Sequence, residues 1–318
     1  MGLLWSMKPV GGPPVDYWFI FPRDGARVAL TVTAGNEVLA SRVLVRRLLA
    51  AGVSVRRLRT DRDGIYGLYF APASMGALRP GVLAFGGSEG GLGGTRQASL
   101  LASHGFPALA IAYFDAPGLP HKLSRVPLEY FARALLWLSR RPGVDPSRLV
   151  VMGVSRGSEA ALLLGAYFPK LVHAVVALVP SNVVLCSFPQ CGNGPAWTLA
   201  GRAVPFATRF GPSSHGEPDA VIPVERIAGP ILLVCGGLDL VWPSCPMSDA
   251  IQARLRAHNY PYPHLLLRFP WAGHSVGYPV PYEPGSEDDR GSSAGANPRA
   301  RAQAWPEILE FLAQMAGD

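Results

Sequence analysis

Arg148-Leu-Val-Val-Met-Gly-Val-Ser-Arg-Gly-Ser-Glu-Ala-Ala-Leu-Leu-Leu-Gly165 is the stretch that decides the fold. Leu149 to Met152 make an apolar, β-branched run of the kind that forms a strand buried on both faces. Gly153-Val154-Ser155-Arg156-Gly157 follows at once, and Ala160, Leu163 and Leu164 then recur at helical spacing. Strand, Gly-x-Ser-x-Gly and helix in immediate succession predict a nucleophile elbow. So tight a turn holds Ser155 in a strained backbone conformation and leaves no room for a Cβ at Gly153 or Gly157. The hydroxyl is then presented at the carboxyl edge of a sheet, over the positive end of the helix dipole. The pentapeptide alone is common in a chain with 36 glycines. Its setting between a strand and a helix is what makes it a catalytic signal.

Outward from the elbow the rhythm is strand, helix, strand. Gly81–Phe85, Pro107–Tyr113, Ala174–Val179, Pro230–Cys235 and His264–Phe269 read as strands, with helices at 98–104, 127–141, 247–258 and 305–315. Alternation at this spacing predicts a doubly wound, mostly parallel sheet, the α/β-hydrolase fold. Two stretches break the pattern. Residues 181–226 are rich in Gly, Pro and Ser and are expected to form an irregular cap over the site. Residues 283–297 are expected to be a polar surface loop.

A serine hydroxyl needs a base to take its proton, and the base needs an acid to orient it. In this fold the three occur in the order serine, acid, histidine. Ile231-Leu-Leu-Val-Cys-Gly-Gly-Leu-Asp239 ends a strand in glycines and an acid, and Leu265-Leu-Leu-Arg-Phe-Pro-Trp-Ala-Gly-His274 ends the last strand in a histidine. Ser155, Asp239 and His274 are therefore the candidate catalytic residues. Glu217 and Asp219 are rival acids in a loop. His104 reads as a helix cap, and His121, His173, His215, His258 and His264 fall in loops, at strand starts or at a helix end. The tetrahedral intermediate also needs two backbone N–H donors. One is expected from Arg156, and the other from Gly87 or its neighbour Ser88 in the loop Gly86–Gly94. That loop is not read as a dinucleotide site, because no acidic residue stands at the expected downstream strand end.

Ahead of residue 71 the pattern differs. Short alternating runs at 26–33, 38–45, 53–58 and 64–70 predict four antiparallel strands of a partial β-sandwich, residues 1–70, joined to a catalytic domain at 71–318. Its inner face is expected to draw on Leu3, Leu4, Trp5, Trp18 and Phe19.

With 49% hydrophobic and 16% charged residues the chain can build a large core. No apolar run reaches the roughly 18 residues of a membrane span, no signal-peptide layout opens the chain, and the cytoplasm is the expected compartment. The net charge of +7 favours anionic small molecules, while the scattered arginines and the lack of any nucleic-acid motif argue against nucleic acid. The four cysteines show neither Cys-x-x-Cys spacing nor flanking histidines, so no metal is expected, and the chemistry needs no cofactor. Cys186 and Cys191 could pair across a short loop, but free thiols are the expectation for a cytosolic chain.

Beyond the elbow, Phe85-Gly-Gly-Ser-Glu-Gly-Gly91, Ala98-Ser-Leu-Leu-Ala-Ser-His-Gly-Phe106, Gly153-Val-Ser-Arg-Gly-Ser-Glu159, Asp239-Leu-Val-Trp-Pro-Ser244 and Ala272-Gly-His274 resemble the acyl-CoA thioesterase / bile acid-CoA:amino acid N-acyltransferase family. Asp-x-x-Trp after the acid strand and Glu four residues past the serine are more specific than the elbow itself. The resemblance implies an immunoglobulin-like N-terminal domain on an α/β-hydrolase domain, and acyl-CoA or related thioesters as substrates; the family's N-terminal domain is normally longer, so the chain is expected to start within it, through truncation, a different start codon or a reduced protein. The resemblance carries nucleophile, acid and base onto Ser155, Asp239 and His274. Leu238 departs from the acidic residue many relatives have beside the acid. Amidating members of the family use a cysteine nucleophile, so Ser155 points to hydrolysis. Acyl transfer to an amino acid or carboxylesterase activity is the alternative, and a non-catalytic acyl-binding protein a third reading. Acyl chain length and oligomeric state are left open by the sequence.

Overall fold

The structure, a computed structural model, describes residues 26–74, 76–208, 217–281, 292 and 295–315. It begins with a hairpin, β1 (Ala26–Ala34) and β2 (Glu37–Arg46), and continues through β3 (Ser54–Leu58), α1 (Thr60–Asp63), β4 (Tyr66–Ala71) and β5 (Arg79–Phe85). Next come α2 (Thr95–Ser103), β6 (Ala108–Ala112), β7 (Val126–Pro127), α3 (Leu128–Leu138), β8 (Val144–Val154), α4 (Arg156–Tyr167) and β9 (Ala174–Leu178). After the short β10 (Trp197–Leu199) and β11 (Arg202–Ala203) the chain resumes with β12 (Ile231–Gly236), α5 (Ser244–Ala257), β13 (His264–Phe269) and α6 (Ala296–Gln314).

Eight of these strands make one sheet in the order β13-β12-β9-β8-β5-β6-β4-β3. The six from β5 onward run parallel, and β4 and β3 add antiparallel at one edge. Both faces are covered, which is why the central strands are continuously apolar rather than alternating. Leu149, Val151, Ile231 and Leu233 face one core with α3, α4 and α5. Val150, Met152, Leu232 and Val234 face the other with α2 and α6. Truncating any of these leucines to alanine should cost about 2–5 kcal/mol, since a close-packed interior relaxes only partly around the lost volume. β8 therefore lies buried in the middle of the sheet, and Ser155 follows its last residue.

The four strands expected in one partial sandwich are divided. β3 and β4 belong to the central sheet: β4 pairs with β6 from Tyr66↔Ala112 to Phe70↔Ala108, and β3 pairs with β4. Alternation in the sequence reports a strand with two unlike faces but not the strand it pairs with. Leu58 and Tyr69 enter one core and Phe70 the other, and this burial fixes their place in the sheet. The stretch 71–80 thus connects two strands of the same sheet. Only β1 and β2 form a separate two-stranded sheet, with Val32, Val38 and Leu39 each 59% exposed. Leu3, Leu4, Trp5, Trp18 and Phe19 lie outside the described residues.

Two further expectations need correction. In place of free thiols, Cys186–Cys191 and Cys235–Cys245 are disulfides, each with a Cα–Cα separation of 5.0 Å. The second joins the end of β12 to the first turn of α5, a juxtaposition no cysteine spacing announces. The last helix starts at Ala296, inside the stretch expected to be loop, and Asn297 is fully buried.

Candidate active site

Ser155 stands between β8 and α4 with φ 55° and ψ −120°, a backbone conformation that costs a non-glycine residue about 1–3 kcal/mol. Its N–H donates to Leu178 O at 2.9 Å, and its carbonyl accepts Ser158 Oγ at 2.6 Å, so the turn is held from both sides. A Cβ on Gly153 would lie 2.1 Å from Gly157 O, and one on Gly157 would lie 2.2 Å from Gly86 O. Both glycines are needed for this close approach, and the second brings the loop after β5 onto the elbow.

Asp239 follows β12. Its Oδ1 accepts the N–H groups of Val241 (3.0 Å) and Trp242 (3.3 Å), and its Oδ2 lies 2.8 Å from His274 Nδ1. An ionised carboxylate there makes Nδ1 the donor and leaves Nε2 as the ring's unspent nitrogen. Trp242 meets the imidazole edge-on, centroids 5.5 Å apart, while its Nε1 donates to Val179 O at 3.1 Å. The spacing Asp-x-x-Trp thereby supplies both the carboxylate and a wall for the imidazole. His274 opens a short 3-10 helix, His274–Gly277, and is 5% exposed. Asn297 Oδ1 accepts Gly273 N–H at 2.8 Å and Arg301 Nε donates to Ser275 O at 2.9 Å, so α6 braces this turn. The same turn packs on the elbow: a Cβ on Gly277 would lie 3.0 Å from Cγ1 of Val154, the residue before Ser155.

On the other side of Ser155, Arg156 begins α4, where main-chain N–H groups lack helical acceptors. Its side chain turns away and donates to Leu185 O (3.0 Å) and Cys186 O (2.9 Å), with Nε 3.0 Å from Glu159 Oε2. Glu159 Oε1 accepts Leu185 N–H at 3.0 Å and Trp197 Nε1 at 2.5 Å. Burial pushes the Glu159 carboxyl above its ordinary pKa, and the Arg156 charge opposes that shift. This enclosed cluster ties the segment after β9 to the elbow helix. Gly87 lies against Ser155, since a Cβ there would be 2.8 Å from that of Ser155, with Ser88 next in the chain.

A sequence family described as "BAAT / Acyl-CoA thioester hydrolase C terminal" matches residues 126–193 and 204–318. The chain belongs to that family. Acyl-coenzyme A thioesterase 6 of Mus musculus is 32% identical over 98% of this chain and 78% of its own length. Acyl-coenzyme A amino acid N-acyltransferase 2 of Rattus norvegicus is 31% identical over 86% of this chain and 69% of its own. Among solved structures, a putative dienelactone hydrolase from Klebsiella pneumoniae superposes with a TM-score of 0.56 at 18% identity, covering 82% of this chain and 99% of that one. A puromycin-hydrolyzing peptidase from Mycobacterium tuberculosis gives 0.58 at 20% identity, covering 87% and 42%. At such identities these two establish the α/β-hydrolase fold alone. Relatives named as peroxisomal and mitochondrial stand beside the others, so kinship does not single out the cytoplasm. Among the described residues no helix is long and apolar enough to cross a membrane.

For this family member the structure pairs Asp239 with His274 and sets Gly87 and the 3-10 turn of His274 against the elbow of Ser155. The rival acid Glu217 is engaged elsewhere, its Oε1 accepting Thr208 N–H and Oγ1–H. His264 pairs with Gln252, His173 Nδ1 accepts Leu149 N–H, and His104 caps α2; His215 lies outside the described residues. Sequence reasoning missed Trp197, Asn297 and Arg301. For Trp197 a signal existed, because a tryptophan in a polar loop that becomes buried needs an acceptor for its N–H. Asn297 and Arg301 sit in and just after a stretch whose composition suggested only solvent.

Proposed function

We propose that the protein hydrolyses acyl-CoA thioesters through an acyl-serine intermediate. Ser155 Oγ attacks the thioester carbonyl while His274 Nε2 takes its proton, and Asp239 holds the imidazole in the tautomer this requires. The negative charge that develops on the carbonyl oxygen is met by the N–H of Arg156 and one from the Gly87-Ser88 loop, over the N-terminus of α4. The C–S bond breaks, and the coenzyme A sulfur leaves with the proton carried by His274. Water then gives a proton to His274 and attacks the ester carbon, releasing the free acid and restoring Ser155. The observation that carries this reading is the 2.8 Å contact between Asp239 Oδ2 and His274 Nδ1, which leaves Nε2 free to act as base. Kinship with thioesterases supports the substrate class.

The second reading, transfer of the acyl group to an amino acid, is favoured by the N-acyltransferase relative. The serine argues against it, because an oxyester is a poorer acyl donor to amines than the thioester a cysteine nucleophile would form. The test is a panel of acyl-CoA chain lengths and simple esters, with free thiol and free acid both quantified, in the presence and absence of glycine or taurine. Equal release of thiol and acid is expected; thiol release with amide formation would select the second reading, and turnover of esters alone would make the protein a carboxylesterase.

A further inference from the structure

Gly87 and Ser88 both qualify by sequence as the second donor to the oxyanion, and the structure holds a feature that chooses between them. Gly87 N–H donates to Glu89 Oε2 at 2.8 Å. The hydroxyl of Tyr278, the residue after the 3-10 turn of His274, donates to the same oxygen at 3.2 Å. One carboxylate thus joins the glycine loop to the turn that carries the base. The other oxygen, Oε1, has no solvent contact and no hydrogen-bond partner. It fills the space between two glycines: a Cβ would lie 1.9 Å from it on Gly86 and 2.1 Å from it on Gly93. The carbonyls of the same loop are fixed by Tyr113, whose buried hydroxyl is shared between Gly86 O (3.0 Å) and Gly87 O (2.7 Å).

Glu89 is half-buried as a residue, yet its carboxyl group is enclosed. Desolvation pushes its pKa up, against the N–H groups of Glu89 itself and Gly87, the Tyr278 hydroxyl and the His274 charge. Enclosing a carboxyl group with one oxygen unpaired is costly, and the cost falls beside the nucleophile rather than in the core. What that cost secures is the orientation of the Gly87 peptide. Among the described residues Ser88 N–H has no acceptor, and the Gly87 Cα faces Ser155. We propose that Glu89 is a positioning residue for the oxyanion hole. It takes the Gly87 N–H out of use and fixes the loop so that the Ser88 N–H, together with that of Arg156, faces the carbonyl oxygen. This rests on the serine-hydrolase reading of Ser155.

The test compares Glu89→Ala with Glu89→Gln, whose amide oxygen can still accept the Gly87 N–H. Rates are read on an acyl-CoA and on p-nitrophenyl butyrate, with the inhibition constant of a trifluoromethyl ketone that forms an oxyanion adduct on the serine. Glu89→Ala is expected to lose about 10²-fold in kcat with KM little changed, and the same factor in ketone affinity. Glu89→Gln should recover to within about tenfold of the parent enzyme. A folded Glu89→Ala with parental kcat, a loss confined to KM, or no rescue by glutamine in a folded variant would overturn the proposal. A second arm does not depend on how Glu89→Ala folds: replacing Ser88 by its α-hydroxy acid exchanges the N–H for an ester oxygen. That exchange should cost about 10²–10³ in kcat, and parental activity would overturn the assignment of the donor. Fluorophosphonate labelling separates the two levels. An unlabelled Ser155 in the parent enzyme would overturn both readings. A labelled Ser155 with ester but not acyl-CoA turnover would overturn only the substrate class, with the Glu89 comparison then decided on the ester.

Discussion

Two carboxylates, each paired with a nitrogen side chain, flank Ser155, and they are almost equally hidden from water. Arg156 and Glu159 have side chains 2% and 0% exposed, and His274 and Asp239 6% and 1%. The difference lies in what each nitrogen partner can do. A guanidinium only donates, and the Arg156–Glu159 pair also bonds Leu185, Cys186 and Trp197. An imidazole can both give and take a proton, and that of His274 has one nitrogen committed to Asp239. Burial of a paired carboxylate therefore does not mark a catalytic site. A proton that can move does.

This contrast predicts a double dissociation. The largest effect should come from the titratable side: Ser155→Ala or His274→Ala should lower kcat by about 10⁵–10⁶, and Asp239→Asn by about 10⁴, each with the unfolding midpoint in urea nearly unchanged. Steady-state kinetics beside denaturation curves would check this, and a large stability loss in Asp239→Asn would erase the distinction. On the other side, Glu159→Ala leaves the Arg156 charge buried without its partner and should cost about 3–5 kcal/mol of stability. Parental stability in that variant would show that the cluster is not what ties the cap segment to α4.

A third pair, part-exposed, sharpens the comparison from below. Arg254 bonds Glu225 through Nε and Nη2, and that hydrogen bond, opposed by burial, holds the Glu225 carboxyl below its ordinary pKa. A carboxylate whose folded pKa is depressed contributes stability in full above its ordinary value of 4.5 and loses it as pH falls through the lowered one. Glu225→Gln should therefore be less stable than the parent at pH 7, by no more than about 0.5 kcal/mol because solvent screens the pair. The gap should close on acidification below pH 4.5. Thermal melts across pH would read it, and a gap that widens in acid would reverse the assignment.

Legibility in the sequence follows the range over which each feature is written. The elbow lies within five consecutive residues, and the order of Ser155, Asp239 and His274 follows the order of strands, so both can be read from the chain alone. The pairing of β4 with β6 cannot, because a period of two states that a strand has two faces and says nothing about its neighbour. Asn297 and Arg301 are hidden by sequence distance and polar surroundings, although they bond the residues on either side of His274. Glu89 is visible as a letter in a glycine loop. Its role emerges only from the enclosure of its carboxyl group.

The central claim is a covalent acyl-serine at the elbow, and it can be tested by trapping. The enzyme is mixed with an acyl-CoA, quenched in acid within milliseconds, and digested, and the peptide carrying Ser155 is weighed. The account predicts a mass increase on Ser155 equal to the acyl group less the hydrogen it replaces, absent in Ser155→Ala, with thiol released in advance of free acid. An unmodified Ser155 peptide, together with undiminished thiol release by Ser155→Ala, would contradict it.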